Sequence, residues 1–285
     1  MSDPRSGYRS SASGLLLPAH PPGGPPPAPP PGALPLLAPG PPPRALPRPG
    51  SLDLWLLRVS DARGTGLDTG VLDASERERA AGMAYAEDRV RFTAAHLALR
   101  RLLGAYLDML PQDIRYGRET CPCCGGPHGR PTVLGARRGL HFSLSHRGDL
   151  VLVGTAVVPI GVDVDLVADP GGAAELATML HPAEQREIAA LPPPRRPRAL
   201  ARLWTRKEAY LKGLGTGLGR DPAADYVGSG SPDGAEPPEG WTLLDIPVDR
   251  GYAAAVAVRG ELTTPSPRVN RMSERDIRGD PPRRE

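Results

Sequence analysis

Proline sets the outer limits of what this chain can fold. A large share of its 37 prolines crowds into residues 1 to 50, in runs such as Pro25–Pro27 and Pro29–Pro31 with glycine between them. Proline fixes φ and removes the backbone donor, so such a stretch neither builds ladders nor buries a core. Leu15–Leu17 is the only concentrated apolar cluster near the start, far short of a signal-peptide core or a membrane span. After about Gly260 the chain mixes Arg, Asp, Glu and Pro without periodicity. The expectation is therefore a disordered Pro-rich segment over 1–50, a disordered charged tail over 260–285, and a folded body between them. A body of that size can bury a real core.

Within the body, Leu52–Val59 is a short apolar run with the length of a strand. Asp73-Ala-Ser-Glu76 pairs an N-cap acceptor with a glutamate three residues on, a helix start. Val90, Ala94, Leu97, Leu102 and Ala105 recur at helical spacing between Glu87 and Leu110, until Pro111 stops the run. Cys121 to Pro131 reads as a Gly/Pro/Cys-rich loop. Leu150–Val158 is rich in β-branched residues, Pro159 breaks it, and Ile160–Leu166 resumes with strict alternation, so the two are expected to form a hairpin. Pro182 opens a helix, Pro192–Pro197 is a loop, and Arg198–Lys212 is a helix ended by Gly213 and Gly215. Trp241–Ile246 and Tyr252–Val258 close the body as strands. Hairpins interleaved with helices predict an α+β fold.

The net charge of +3 selects no partner. The split of the basic residues says more: among 35 Lys and Arg only two are lysines, Lys207 and Lys212, both within one six-residue window and flanking a glutamate. Lysine is a compact point charge that can release a proton, whereas guanidinium cannot, so these two are candidates for work that arginine cannot do. The alternative is retention on a solvated helix face. The three cysteines all fall between positions 121 and 124. They form no spaced pairs of a disulfide framework, and the expected setting is a reducing cytoplasm.

Three constellations carry chemistry. In Gly161-Val-Asp163-Val-Asp165, residues two apart on a strand share a face, so both carboxylates project together while Val162 and Val164 pack behind. Paired acids beside a buried strand are costly unless neutralised, and a hard divalent cation such as magnesium does so through oxygen ligands. An exposed edge strand with two solvated acids is the competing reading. In Trp204-Thr-Arg-Lys207-Glu208-Ala-Tyr-Leu-Lys212, Glu208 and Lys212 are four apart and so neighbours on one helix face, although a surface pair of that kind needs no function. The glycines from Gly213 to Gly219 close a helix rather than open one, which excludes a dinucleotide loop and leaves a C-cap with a turn. In Phe142-Ser-Leu-Ser145-His146-Arg-Gly148, Ser145 and His146 point to opposite faces of an extended chain and lack a nucleophile elbow. Anion binding by the hydroxyl and the imidazole suits them better than hydrolysis.

Taken in order, Leu144-Ser-His, Asp163-x-Asp165, Trp204-Thr-Arg-Lys-Glu-Ala, and Lys212 with its trailing Gly-x-Gly-Leu resemble the signature set of the Sfp-type 4′-phosphopantetheinyl transferases, from about Leu54 to Val258. The resemblance implies two similar α+β subdomains, 51–158 and 159–259, related by a pseudo-twofold, with the site in the cleft between them. It implies transfer of phosphopantetheine from coenzyme A to a serine of an apo acyl or peptidyl carrier protein by a cytoplasmic monomer, with Mg²⁺ or alternatively Mn²⁺. Asp163, Asp165 and Glu208 match the metal-binding acids, with Glu208 also the base and Lys212 acting on the leaving oxygen. Ser145 and His146 match the residues near the 3′-phosphate of the coenzyme, and Arg91 its phosphate-binding arginine. Arg130 stands in Gly129-Arg-Pro131 where the family commonly has lysine, and Arg77 and Arg79 match basic residues near the adenine. Asp165 departs from the family, which commonly has glutamate there. Its side chain is one methylene shorter, with direct contact and contact through water both open.

A rival class is a zinc-stabilised nucleic-acid-binding protein built on Cys121-Pro-Cys123-Cys124-Gly-Gly-Pro-His128. Against it, a structural zinc site wants four ligands and a second pair is missing, so a plain surface loop is expected. Clustered acids repel phosphate, and 4% aromatic content is thin for base stacking. The expectation is no nucleic-acid and no membrane partner.

Overall fold

Side-chain alternation along two strands decides the layering. The computed structural model describes residues 36–39, 45–62, 67–136, 139–168, 170–229, 238–263, 269–273 and 276–277. Its strands and helices run β1 (Leu36–Pro39), β2 (Leu52–Arg58), α1 (Ala74–Ala81), α2 (Ala86–Leu107), β3 (Tyr116–Arg118), β4 (Pro131–Val133), β5 (His141–Arg147), β6 (Leu150–Ala156) and β7 (Ile160–Leu166). They continue with α3 (Pro170–Ala177), α4 (Pro182–Ala190), α5 (Arg196–Leu214), β8 (Trp241–Asp245), β9 (Tyr252–Arg259) and β10 (Val269–Met272). Trp55 and Leu57 of β2 and Val151 and Val153 of β6 face α2, where Ala94, Ala98, Leu102 and Tyr106 meet them. Leu52, Leu54 and Leu56, with Leu150 and Leu152, point the other way onto Val162, Val164 and Val256 of a second sheet. The far face of that sheet, with Ala255 and Ala257, lies under Leu203, Ala209 and Leu211 of α5. Helix, sheet, sheet and helix thus stack in an α+β fold, each sheet buried on both faces by the period-2 pattern.

The first sheet has the order β1-β10-β2-β6-β5 and the second β7-β9-β8. The expected hairpin of residues 150–158 with 160–166 does not form. β6 pairs antiparallel with β2 (Leu52↔Ala156) and β5 (His141↔Ala156), whereas β7 pairs with β9 (Asp163↔Ala255). The physical reason lies in the faces: β6 is apolar and buried throughout, while β7 carries carboxylates on one face, so the two suit different layers. Pro159 carries the chain from one sheet to the other.

The limits drawn from composition are also corrected. β10 pairs parallel with β2 (Val269↔Leu54, Met272↔Leu57), and Val269, Met272 and Ile277 are buried. β1 pairs parallel with β10. The edge of β2 would otherwise expose a row of unpaired backbone groups, and three apolar side chains among the charges of the tail are enough to cover it. Residues 45–50 and 260–263 of the expected disordered segments are also tied down, with Thr263 N donating to Gly50 O at 2.9 Å, whereas residues 1–35, 40–44, 264–268, 274–275 and 278–285 lie outside the described residues.

Local signals fare better. Asp73 and Glu76 form the expected capping box, with Glu76 N donating to Asp73 Oδ1 at 2.9 Å and Asp73 N to Glu76 Oε2 at 2.9 Å. Arg100 of α2, wholly buried, donates to Glu76 Oε2 and Asp73 Oδ2 at 2.7 Å each and to two backbone carbonyls, tying α1 to α2. Helix α2 ends on Asp108 in the left-handed conformation (φ 56), three residues ahead of the proline that marks its limit in sequence. The expected 121–131 loop is the tip of the short β3–β4 hairpin.

Candidate active site

The site begins with a close approach. At Gly161 a Cβ would lie 2.0 Å from Ala209 O and 2.4 Å from Gly213 N, so α5 rests on the backbone of β7 and no other residue fits there. Asp163 lies two residues on, on the same face, and the four-residue spacing of α5 brings Glu208 and Lys212 towards it. Asp163 is buried; its Oδ1 accepts from Lys212 Nζ at 2.5 Å and from Ser145 Oγ at 2.8 Å. Lys212 Nζ also reaches Ser145 Oγ and Val162 O, each at 3.3 Å. Ser143 and Ser145 of β5 accept from the N–H groups of Val162 (3.0 Å) and Val164 (3.2 Å), so two hydroxyls stitch the sheets together beside the acid.

The protein pairs two of the three acids, Asp163 with Lys212 and Asp165 with Arg147, whose Nε lies 3.0 Å away. Burial pushes the Glu208 carboxyl up to about 7, Asp163 and Asp165 add to the shift, and Lys212 opposes it. Burial also raises Asp165, against the pull of Arg147. Glu208 is thus the acid of the three without an ion pair of its own. An all-oxygen acidic set of this kind fits a hard divalent cation. The oxygens are not closed into a tight cluster: among the described residues, the group of three or more His, Cys, Asp or Glu side chains with ligand atoms within 4.8 Å of one another is Cys121, Cys124 and His128. Mutual repulsion of the carboxylates, with Lys212 drawn onto Asp163, accounts for the wider spacing.

Next to the acids is a cavity of about 790 Å³ whose lining includes Arg79, Arg118, Arg130, His96, His128, His146 and Lys212, with Asp73 and Glu76 among them. Lys212 belongs to both, since it lines the cavity and bonds Asp163. His146 is held neutral, its pKa pushed down to about 4 by burial and then by the charges of Arg91, His96, Lys212 and Arg79. The cations gathered around this buried imidazole give the cavity a positive potential suited to an anion. The buried His146 Nδ1 and Arg130 Nε have no hydrogen-bond partner within the protein.

The expected binding residues divide into two groups. Arg79, Arg130 and His146 line the cavity. Arg77 binds Leu72 O, and Arg91 pairs with Asp88 and reaches Gly148 O at 3.5 Å; neither they nor Ser145 belong to the lining. Arg130 is itself partly committed: it donates to Gly213 O at 2.9 Å and to Glu119 Oε2 at 2.6 Å, capping the end of α5. Lys207, the other lone lysine, is fully buried on Glu184 and takes no part in the site. Gly215, Thr216 and Gly217 line the cavity as well as ending α5, with Gly215 left-handed at φ 82. Arg118 and His96 went unnoticed in sequence. Only the four-residue step from Phe92 to His96, whose rings stack at 4.0 Å, could have signalled the second.

The family model of the 4′-phosphopantetheinyl transferase superfamily matches residues 159–255, the stretch that carries Asp163, Asp165, Glu208 and Lys212. The 4′-phosphopantetheinyl transferase HetI of Nostoc sp. is 30% identical over 229 residues, covering 75% of this chain and 93% of that protein. The chain belongs to the 4′-phosphopantetheinyl transferase superfamily. A phosphopantetheinyl transferase of Thraustochytrium sp. is 31% identical over 191 residues, 60% of this chain and 63% of that one. A 4′-phosphopantetheinyl transferase of Bacillus subtilis is 25% identical over 174 residues, 58% of this chain and 74% of that one. Membership in this transferase superfamily displaces the nucleic-acid-binding alternative as the account of the ordered motifs. Among the described residues no helix is long and apolar enough to cross a membrane.

Proposed function

We propose that this protein is an Sfp-type enzyme that transfers 4′-phosphopantetheine from coenzyme A to a serine hydroxyl of an apo acyl or peptidyl carrier protein. The new bond joins the serine oxygen to the phosphorus nearer the pantetheine. The pyrophosphate P–O bond breaks, and adenosine 3′,5′-bisphosphate leaves with the electron pair. The observation that carries this reading is the position of Lys212, which lines a basic cavity and holds a buried acid at once. A phosphate ester seated in the cavity would have its reacting end beside the carboxylates.

In this reading 51–158 and 159–259 are two related α+β halves, supported by the way each packs a long helix on an antiparallel pair of strands. Asp163 and Glu208 would hold Mg²⁺, or alternatively Mn²⁺, with Asp165 completing the set directly or through water. When bound, the ion supplies positive charge to the pyrophosphate oxygens. Glu208 takes the proton of the incoming serine hydroxyl, a task suited to a carboxyl poised near neutrality. Lys212 gives a hydrogen bond or proton to the departing oxygen. Ser145 orients Asp163 and Lys212 rather than touching the coenzyme. Arg79, Arg130 and His146 bind its phosphates, with Arg91 adding positive potential behind His146, and Arg77 fixing the start of α1. The same reading takes the enzyme as a cytoplasmic monomer acting on carriers of fatty acid, polyketide or nonribosomal peptide synthesis.

Incubating the protein with an apo carrier, coenzyme A and Mg²⁺ is expected to add one phosphopantetheine to the carrier's intact mass. A carrier with its serine replaced by alanine gains nothing. Absence of any gain across acyl and peptidyl carriers, with folded protein, contradicts the proposal.

A further inference from the structure

The tip of the β3–β4 hairpin has no part in the transfer chemistry, yet it gathers three soft ligands at the rim of the cavity. Cys121 is buried, and Cys124 and His128 are exposed. Their ligand atoms all lie within 4.8 Å of one another, and Cys124 Sγ is 2.9 Å from His128 Nε2. We propose that Cys121, Cys124 and His128 form a zinc site that clasps this rim.

Local geometry presents the sulfurs. Cys121 and Cys124 are joined by a tight turn in which Gly125 N donates to Cys121 O at 2.9 Å and Cys121 N to Gly126 O at 2.8 Å, with Gly125 left-handed. Gly126 N approaches Cys124 Sγ at 3.4 Å, which turns that sulfur in towards the turn. The hairpin then returns His128 over the pair. At Gly129 a Cβ would lie 2.5 Å from Glu119 O, so the strands close directly after the histidine.

Two thiolates and an imidazole select a soft or borderline ion, and tetrahedral zinc is the common match. With Zn–S near about 2.3 Å and Zn–N near about 2.0 Å, tetrahedral ligand atoms sit about 3.5–3.8 Å apart. The observed spread therefore needs only small side-chain rotations. The exposed side of the site leaves the fourth position to a water molecule. Binding displaces the two thiol protons, and two thiolates balance the ion's charge. The centre is thus neutral, adding no negative field beside Arg118 and Arg130. The missing second cysteine pair that makes the sequence read as a plain loop is replaced in space by the histidine seven residues after Cys121. His128, Gly129 and Arg130 all line the cavity, so the clasp fixes one wall of it.

The test reads metal on the full chain and does not depend on the transfer reaction. Titration with Co²⁺ is expected to give one ion per chain with sulfur-to-cobalt charge-transfer absorption. Cys124→Ser is expected to lose that absorption and Cys123→Ser to keep it. No such absorption in the wild type, or its survival in Cys124→Ser, overturns the proposal. On the wild type alone, Zn²⁺ is expected to shield the exposed Cys124, but not the exposed Cys123, from iodoacetamide, with mapping by mass spectrometry. Equal labelling of Cys124 with and without Zn²⁺ overturns it whether or not the variants fold.

Discussion

Replacing Glu208 by glutamine is expected to lower kcat about 100- to 10,000-fold, the range that general acid–base groups contribute, without loss of the folded state. The amide is nearly isosteric and cannot take a proton from serine. Its effect on stability has a definite sign. The folded protein holds the Glu208 proton more tightly than the unfolded chain does, because burial lifts the carboxyl from an ordinary 4.5 to about 7. This group therefore favours the fold most at low pH, and its contribution falls as pH rises between 4.5 and about 7. Without divalent ions, wild type should lose melting temperature relative to Glu208→Gln across that window and run parallel to it above. Full activity in the variant, or a widening stability gap in the opposite direction, refutes the role assigned to this carboxyl.

Lys207→Met should give the largest loss of stability. Lys207 Nζ lies 2.9 and 3.0 Å from the two oxygens of Glu184, and neither side chain has exposed surface. Glu184 also accepts from Val227 N at 2.8 Å and His181 N at 3.0 Å, which caps α4 and pins Val227 to it, while Lys207 donates to Asp225 O and ties the same segment to α5. Removing the ammonium strands a carboxylate in the interior, at a cost of about 3–5 kcal/mol. For a folded body of this size that corresponds to a fall in Tm on the order of 10 °C. Adding Glu184→Gln to the variant should recover part of the loss by removing the stranded charge. A Tm within about 2 °C of wild type for Lys207→Met, less than about 1 kcal/mol, contradicts this account. Lys212→Met makes the contrast: it should suppress turnover yet lower Tm less than Lys207→Met does, because the Lys212 ammonium is partly exposed and Ser145 Oγ still donates to Asp163.

The difference between these lysines shows where sequence ran out. Their isolation in an arginine-rich chain singled out both, and their spacing put them on one helix, but only packing separates them. Lys212 faces β7, where Gly161 admits the helix to contact distance, whereas Lys207 turns towards α4. The cores of α1, α2, α4 and α5, the capping box and the face shared by Asp163 and Asp165 were legible because each depends on neighbours within four residues; α3 and the ends of α5, which begins at Arg196 and runs past Gly213 to Leu214, were not. Strand partners were not. Contiguity suggested pairing β6 with β7, and averaging hid Val269 and Met272, the two apolar residues of β10. Ser145 followed the same rule: its sequence context suggested a hydroxyl that binds an anion of the coenzyme. Its bonds to Asp163 and Val164 belong to a junction between two sheets.

The central claim is that Asp163, Asp165 and Glu208 share one divalent ion beside Lys212. Titration of Mn²⁺ into the full chain in the presence of coenzyme A, followed by electron paramagnetic resonance, measures it directly. The account predicts one tightly bound ion per wild-type chain, with binding lost in Asp163→Asn and in Glu208→Gln. Unchanged stoichiometry and affinity in both variants would place the ion elsewhere and contradict the account.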